Sequence, residues 1–171
     1  MSVKEDVEGN VVIGFSNNNI LMLDCDGKEE EEVITFAREY AKFHDLGSVL
    51  VMKTSETKQL SLNLRPLTNY CIIFGRILSW EEIKWHIQEA YRLGMVDEKF
   101  AEMRNYSNLI TIRVNAKNKE KPPPEFVHYF HNGDDTGIIE FLRFWSICKE
   151  LGRKDDKNVN GQTRILLRAV Q

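Results

Sequence analysis

Three observations place this chain in the α+β class. From Ile20 onward its apolar periodicities follow the order β-α-β-β-α-β, the split βαβ or ferredoxin-like pattern. The two middle strands are joined by a polar stretch, residues 56–65, with no helical pattern, which favours an antiparallel sheet with helices on one face. The 171 residues suffice for one domain with a sizeable core. The expectation is a single domain over residues 1–171, its core spanning residues 11–151. An extra N-terminal hairpin strand and a C-terminal helix flank the repeat, and residues 152–171 form a tail or a docked strand.

Each element has its own signal. Val11-Val-Ile-Gly-Phe15 reads as a strand, Ser16-Asn-Asn-Asn19 as a turn, and residues 20–26 as a second strand hairpinned to the first. Residues 29–44 form a helix with Val33, Phe36, Ala37, Tyr40 and Ala41 on one face. Its acidic start, Glu29-Glu-Glu-Glu32, suits the positive end of the helix dipole or a solvated first turn. Gly47 closes that helix, and residues 48–52 are a buried strand running into Lys53-Thr-Ser55. Tyr70-Cys-Ile-Ile-Phe74 is the next strand. Ser79 with Glu82 makes a capping box for a helix over 80–93, and Gly94 is its C′ residue. A short helix over 97–105, strands over 109–114 and 126–130, and an amphipathic helix over 136–151 complete the order. Arg164-Ile-Leu-Leu-Arg-Ala-Val170 is the apolar end of the tail.

Composition narrows the function classes. A net charge of −3 gives no global attraction to nucleic acid, so such binding needs a local basic patch. No apolar run approaches the roughly 20 residues of a membrane span, and Met1-Ser-Val-Lys-Glu-Asp6 is too polar for a signal peptide. Cys25, Cys71 and Cys148 are odd in number, widely spaced and in apolar contexts, as in reduced thiols of a cytoplasmic protein. A cytoplasmic location without membrane attachment is expected.

The chemistry concentrates in Ile20-Leu-Met-Leu-Asp-Cys-Asp-Gly27. On a strand Asp24 and Asp26, at i and i+2, share one face, and in the expected fold that strand is central to the sheet. Two carboxylates so close repel unless a cation lies between them, and Mg²⁺ or Mn²⁺ with a phosphate substrate is the usual occupant. The alternative is an ordinary Asp-Gly turn at a strand end. Lys53 and Ser55 end the next strand as phosphate ligands or as the start of a loop. Arg113 and Lys117 are the strongest basic pair; Arg113 is a bidentate phosphate ligand or an ion-pair partner of an aspartate. His128 and His131 fall on opposite strand faces with no third ligand, and Trp80, Trp85 and Trp145 read as core. Asp134-Asp135 reads as a turn.

Two resemblances follow from these residues. Asp24-Cys-Asp-Gly27 resembles the opening motif of haloacid dehalogenase-like phosphatases, which implies Asp24 as nucleophile and Asp26 as general acid/base. In that resemblance Thr54 or Ser55, Lys117 and Gly133-Asp-Asp135 supply the later motifs, on a parallel sheet. A longer stretch, from Ile20 to about Val127, resembles the archaeo-eukaryotic primase superfamily, particularly small proteins of archaeal and viral mobile elements. The matching segments are residues 20–26, Ser48-Val-Leu-Val-Met-Lys-Thr-Ser55, Phe74-Gly-Arg-Ile-Leu-Ser-Trp-Glu-Glu82 and Ile110-Thr-Ile-Arg-Val-Asn-Ala-Lys117 with Pro122-Pro-Pro-Glu-Phe-Val127. This resemblance implies an RNA-recognition-like palm and metal-dependent nucleotidyl transfer. Asp24 and Asp26 would hold Mg²⁺ or Mn²⁺, with Lys53, Ser55, Arg113 and Lys117 on nucleotide phosphates. Nucleoside triphosphate, single-stranded nucleic acid and replication proteins are the implied partners. Gln59 stands near the place of the family's nucleotide-binding histidine, and Tyr70 to Phe74 carries no third acid. The resemblance therefore extends to a degenerate domain that binds nucleotide without synthesis, or to a non-enzymatic replication module.

Overall fold

The chain is a mixed α+β structure built on two antiparallel sheets. A computed structural model describes residues 2–5, 11–60, 62, 64, 66–114 and 123–153. The elements are β1 (Ser2–Glu5), β2 (Val11–Asn17), β3 (Ile20–Lys28), α1 (Glu30–His44), β4 (Val49–Leu60), β5 (Pro66–Ile77), α2 (Trp80–Arg92), α3 (Glu98–Met103), β6 (Ile110–Arg113), β7 (Glu125–Phe130) and α4 (Thr136–Arg153). One sheet runs β1-β2-β6 and the other β3-β5-β4-β7. Every ladder among the described residues is antiparallel.

The local signals explain most boundaries. Ser79 accepts from the Glu82 backbone N–H while the Glu82 carboxylate accepts from that of Ser79, so α2 starts on the predicted capping box. Gly94 takes φ +74 at its C′ position and donates to the Tyr91 carbonyl at 2.9 Å. Asp45, rather than Gly47, takes the left-handed position at the end of α1, with φ 52. The β4–β5 hairpin extends through Leu60 and Pro66, well into the polar stretch expected to be a loop. A two-stranded ribbon satisfies its own main chain and needs no apolar side chains to continue its ladder.

Two expectations about the sheet are corrected. β2 is not the hairpin partner of β3; it pairs with β1 and β6. The side-chain oxygen of Asn17 accepts from the backbone N–H of Asn19 at 2.7 Å and of Ile20 at 2.9 Å. This Asx turn redirects the chain between the strands, sending them to different sheets. β3 is accordingly an edge of the four-stranded sheet and not its centre. The flanking position that a β-α-β-β-α-β order would give β6 is not a ladder, because β6 pairs with β2 through Gly14↔Arg113 and Asn17↔Ile110.

Helices cover both faces of the larger sheet. The α1 and α2 helices pack together, with Tyr40 Oη and His86 Nδ1 at 2.9 Å in a buried contact. On the other face α4 brings Ile138 and Leu142 beside Leu50, and its Phe141 and Phe144 against Phe15 of β2. Ile20 to Leu23 are wholly buried between these layers, which anchors β3 and delivers its acidic end to the rim. Trp85, expected in the core, is 53% exposed on α2, while Trp145 packs against Phe126 and Phe141. The chain from 154 to 171 lies outside the described residues, as does the expected tail strand.

Candidate functional site

The alternation along β3 separates its last residues by environment. Cys25 is buried, whereas Asp24 is half-buried and Asp26 exposed on the opposite side. Asp24 stands directly across from Cys71 of β5. Between Cys25 and Lys28 the ladder shifts register, and Gly27 accommodates it at φ +64, a conformation costly for other residues.

Both aspartates open into a cavity of about 280 Å³ that three other strands complete. β4 contributes Thr54 and Ser55, β5 Asn69 and Cys71, and β6 Thr111, Ile112 and Arg113. The strands are tied by hydrogen bonds that converge on Asn69. Its Oδ1 accepts from the Gly27 backbone N–H at 2.9 Å, and its Nδ2 donates to Ser55 Oγ at 2.9 Å. Thr54 Oγ1 donates to the Asn69 carbonyl at 3.1 Å, and Arg113 Nη2 donates to the Thr54 carbonyl at 2.6 Å.

Charge is unevenly distributed across this hollow. Burial draws the Arg113 guanidinium below its ordinary pKa and the nearby Asp24 carboxylate pushes it back up, so the group stays cationic. The Cys71 thiol is raised well above the usual range by burial, then by Asp24 and Cys25. Burial and then Asp24 raise the Cys25 thiol too, so both sulfurs remain protonated and poor as ligands. The walls thus offer two carboxylates on one side and a guanidinium, hydroxyls and an amide on the other.

Among the described residues no cluster of three or more histidine, cysteine or acidic side chains gathers in a metal-binding group. Two carboxylates nevertheless match the way Mg²⁺ is commonly held, by one or two protein oxygens completed by substrate phosphates and water. A neighbouring guanidinium and hydroxyl suit the phosphate half of such a pair.

Of the residues singled out in the sequence, Asp24, Asp26, Ser55 and Arg113 meet in this cavity. Lys53 does not. Its Nζ lies 2.6 Å from Glu56 Oε1, in a separate hollow with Tyr70 and the acidic start of α1. Lys117 lies outside the described residues. Asp134 accepts from the Thr136 backbone N–H at 2.9 Å in a turn just ahead of α4, and Asp135 accepts from Tyr129 Oη at 2.8 Å, so both late acids have partners away from this cavity. Asn69, Thr111 and Cys71 had no signal of their own in the sequence, since their approach depends on hairpin register. Comparison with family models, curated proteins and solved structures finds no match to this chain.

Proposed function

We propose that this chain is a palm-like, primase-type domain that binds a nucleoside triphosphate with a divalent cation in the replication of a mobile element. The observation that carries this reading is the shared cavity in which Asp24 and Asp26 face Arg113 and Ser55. Asp24 and Asp26 would hold Mg²⁺ or Mn²⁺, which when bound offsets phosphate charge and polarises a phosphoryl oxygen. Arg113, half-buried and fixed by Thr54, supplies a planar donor fork for phosphate oxygens. Ser55 adds a hydroxyl.

The β3-β5-β4 strand order, with α1 and α2 together and β6 alongside the acidic strand, supports a palm-like arrangement. The antiparallel ladders weigh against the phosphatase reading, whose parallel sheet would need crossover helices. Calorimetric titration with Mn²⁺, with and without a non-hydrolysable nucleoside triphosphate, tests the proposal. The wild-type chain should bind the pair more tightly than either alone, and the Asp24→Asn/Asp26→Asn double variant should lose that cooperativity. Equal titrations of the two proteins would sink the metal site. Template-dependent dinucleotide formation separates an active enzyme from a nucleotide-holding domain. Hydrolysis of a simple phosphomonoester, with an aspartyl phosphate trapped at Asp24, would favour the phosphatase instead.

A further inference from the structure

We infer that Asn69 is a positioning residue that sets the donor and acceptor polarity of this cavity, turning the Ser55 hydroxyl proton toward the bound anion. The inference rests on the reading above. A backbone N–H can only donate, so the contact from Gly27 at 2.9 Å requires Asn69 Oδ1 on that side. The amide nitrogen must then face Ser55 Oγ, to which it donates at 2.9 Å. Ser55 thus receives a hydrogen bond, and its own proton is left for the cavity that the residue lines.

The same residue holds both walls. Its Oδ1 fixes the Gly27 turn directly after Asp26, while its backbone carbonyl takes the Thr54 hydroxyl. Thr54 in turn presents the carbonyl that receives Arg113 Nη2. One asparagine therefore spaces the carboxylates of β3 against the donors of β4 and β6. The planar amide of Asn69 fixes an acceptor and a donor at set positions, one for each wall.

Asn69→Asp gives the sharpest test, because it preserves shape and exchanges the donor for an acceptor. Its carboxylate would still accept from Gly27, but it would draw the Ser55 proton away from the cavity and add negative charge beside Asp26. Titrating the full chain with inorganic tripolyphosphate alone should show about tenfold weaker binding than wild type, as expected for a lost hydrogen bond to a charged group. Titration with Mn²⁺ alone should show severalfold tighter binding. Ser55→Ala should weaken tripolyphosphate to a similar degree. Because the added charge alone would also split the two ligands, the deciding measurement is the double variant: if Ser55 acts through Asn69, Ser55→Ala should weaken tripolyphosphate about tenfold in wild type and hardly at all in Asn69→Asp. Equal losses from Ser55→Ala in the two backgrounds, or an Asn69→Asp chain that titrates like wild type, overturn the inference.

A ligand-free measurement separates this inference from the function on which it rests. Hydrogen exchange at the Gly27 amide should remain slow in Asn69→Asp and become fast in Asn69→Leu. Slow exchange in Asn69→Leu overturns the Asn69 link even if the wild type binds both probes. A wild-type chain that binds neither probe overturns the proposed function, and the amide exchange then judges the Asn69 link alone.

Discussion

Arg113 Nη2 donates to the carbonyl oxygen of Thr54 at 2.6 Å, and through this bond the smaller sheet reaches the tip of the larger one. Arg113 lies on β6, whose ladder is with β2, while Thr54 lies on β4, two strands away from the acidic edge. The bond joins the two sheets at the cavity that Asp24 and Asp26 line. A half-buried guanidinium needs such partners, because a desolvated cation without acceptors is costly.

Replacing Arg113 should therefore affect both binding and stability. Arg113→Lys keeps the charge but loses the planar fork and the bond to Thr54. Urea unfolding should show a loss of about 1–3 kcal/mol, the worth of a hydrogen bond to a charged group. Tripolyphosphate affinity should fall about tenfold on the same grounds. If calorimetry finds Arg113→Lys as good as wild type, the guanidinium is not the phosphate ligand.

A second prediction concerns the crossing of the 131–135 segment over the sheet. A Cβ at Gly75 would collide with the carbonyl oxygen of Asp134. That oxygen already accepts from the Ser48 backbone N–H at 2.8 Å, and Gly75 itself donates to the Ser48 carbonyl at 2.8 Å. Neither backbone can withdraw without breaking a hydrogen bond. Gly75→Ala should lower stability by about 1–3 kcal/mol, the usual range for overpacking, seen as a lower urea midpoint at unchanged slope. A midpoint equal to wild type would mean that the segment shifts freely.

The sequence carried the helices and the acidic motif well, and the sheet partners poorly. The capping box at Ser79 and Glu82 and the glycine at 94 are local chemistry, so their roles follow from neighbours within a turn. The meeting of Asp24, Asp26, Ser55 and Arg113 was legible because each ends or lines a strand in a β-α-β-β-α-β order. What failed depended on competition between distant strands. The order alone gave β6 to β3, yet β2, redirected by the Asn17 turn, took β6 for itself. Lys53 parts from Ser55 because facing at a strand end depends on the irregular register between them, which no periodicity records. Asn69 was invisible for the same reason: its two partners lie on two other strands.

A third prediction follows from the buried histidine between α1 and α2. Burial, and then the adjacent His44, lower the His86 pKa from 6.5 to about 4, against the opposing pull of Glu82 and Glu89. In its neutral form Nδ1 can accept from Tyr40 Oη, 2.9 Å away. Because folding favours the neutral ring, the unfolded chain binds the additional proton between pH 6.5 and about 4. This contribution is complete above pH 6.5 and is lost as the pH falls toward 4, by at most about 3 kcal/mol. Urea unfolding of wild type and His86→Gln across that window should give a steeper pH dependence for wild type. Parallel curves would remove His86 as its source.

The thiols provide a test of the packing beneath the acidic site. Cys25 and Cys71 are essentially inaccessible, and burial followed by the charge of Asp24 holds both as neutral thiols. Cys148 on α4 is also shifted up by burial, but it retains partial exposure. Alkylation requires both access and the thiolate, so iodoacetamide at neutral pH should mark Cys148 first, with Cys25 and Cys71 silent until the chain unfolds. Asp24→Asn should remove a charge that suppresses ionisation of Cys71 without opening a route to it, so labelling there should stay slow. Mass spectrometry of a timed reaction distinguishes the cases. Early modification of Cys71 in the wild-type chain would show that the floor of the cavity opens, and that Asp24 faces solvent more freely than its packing against β5 requires.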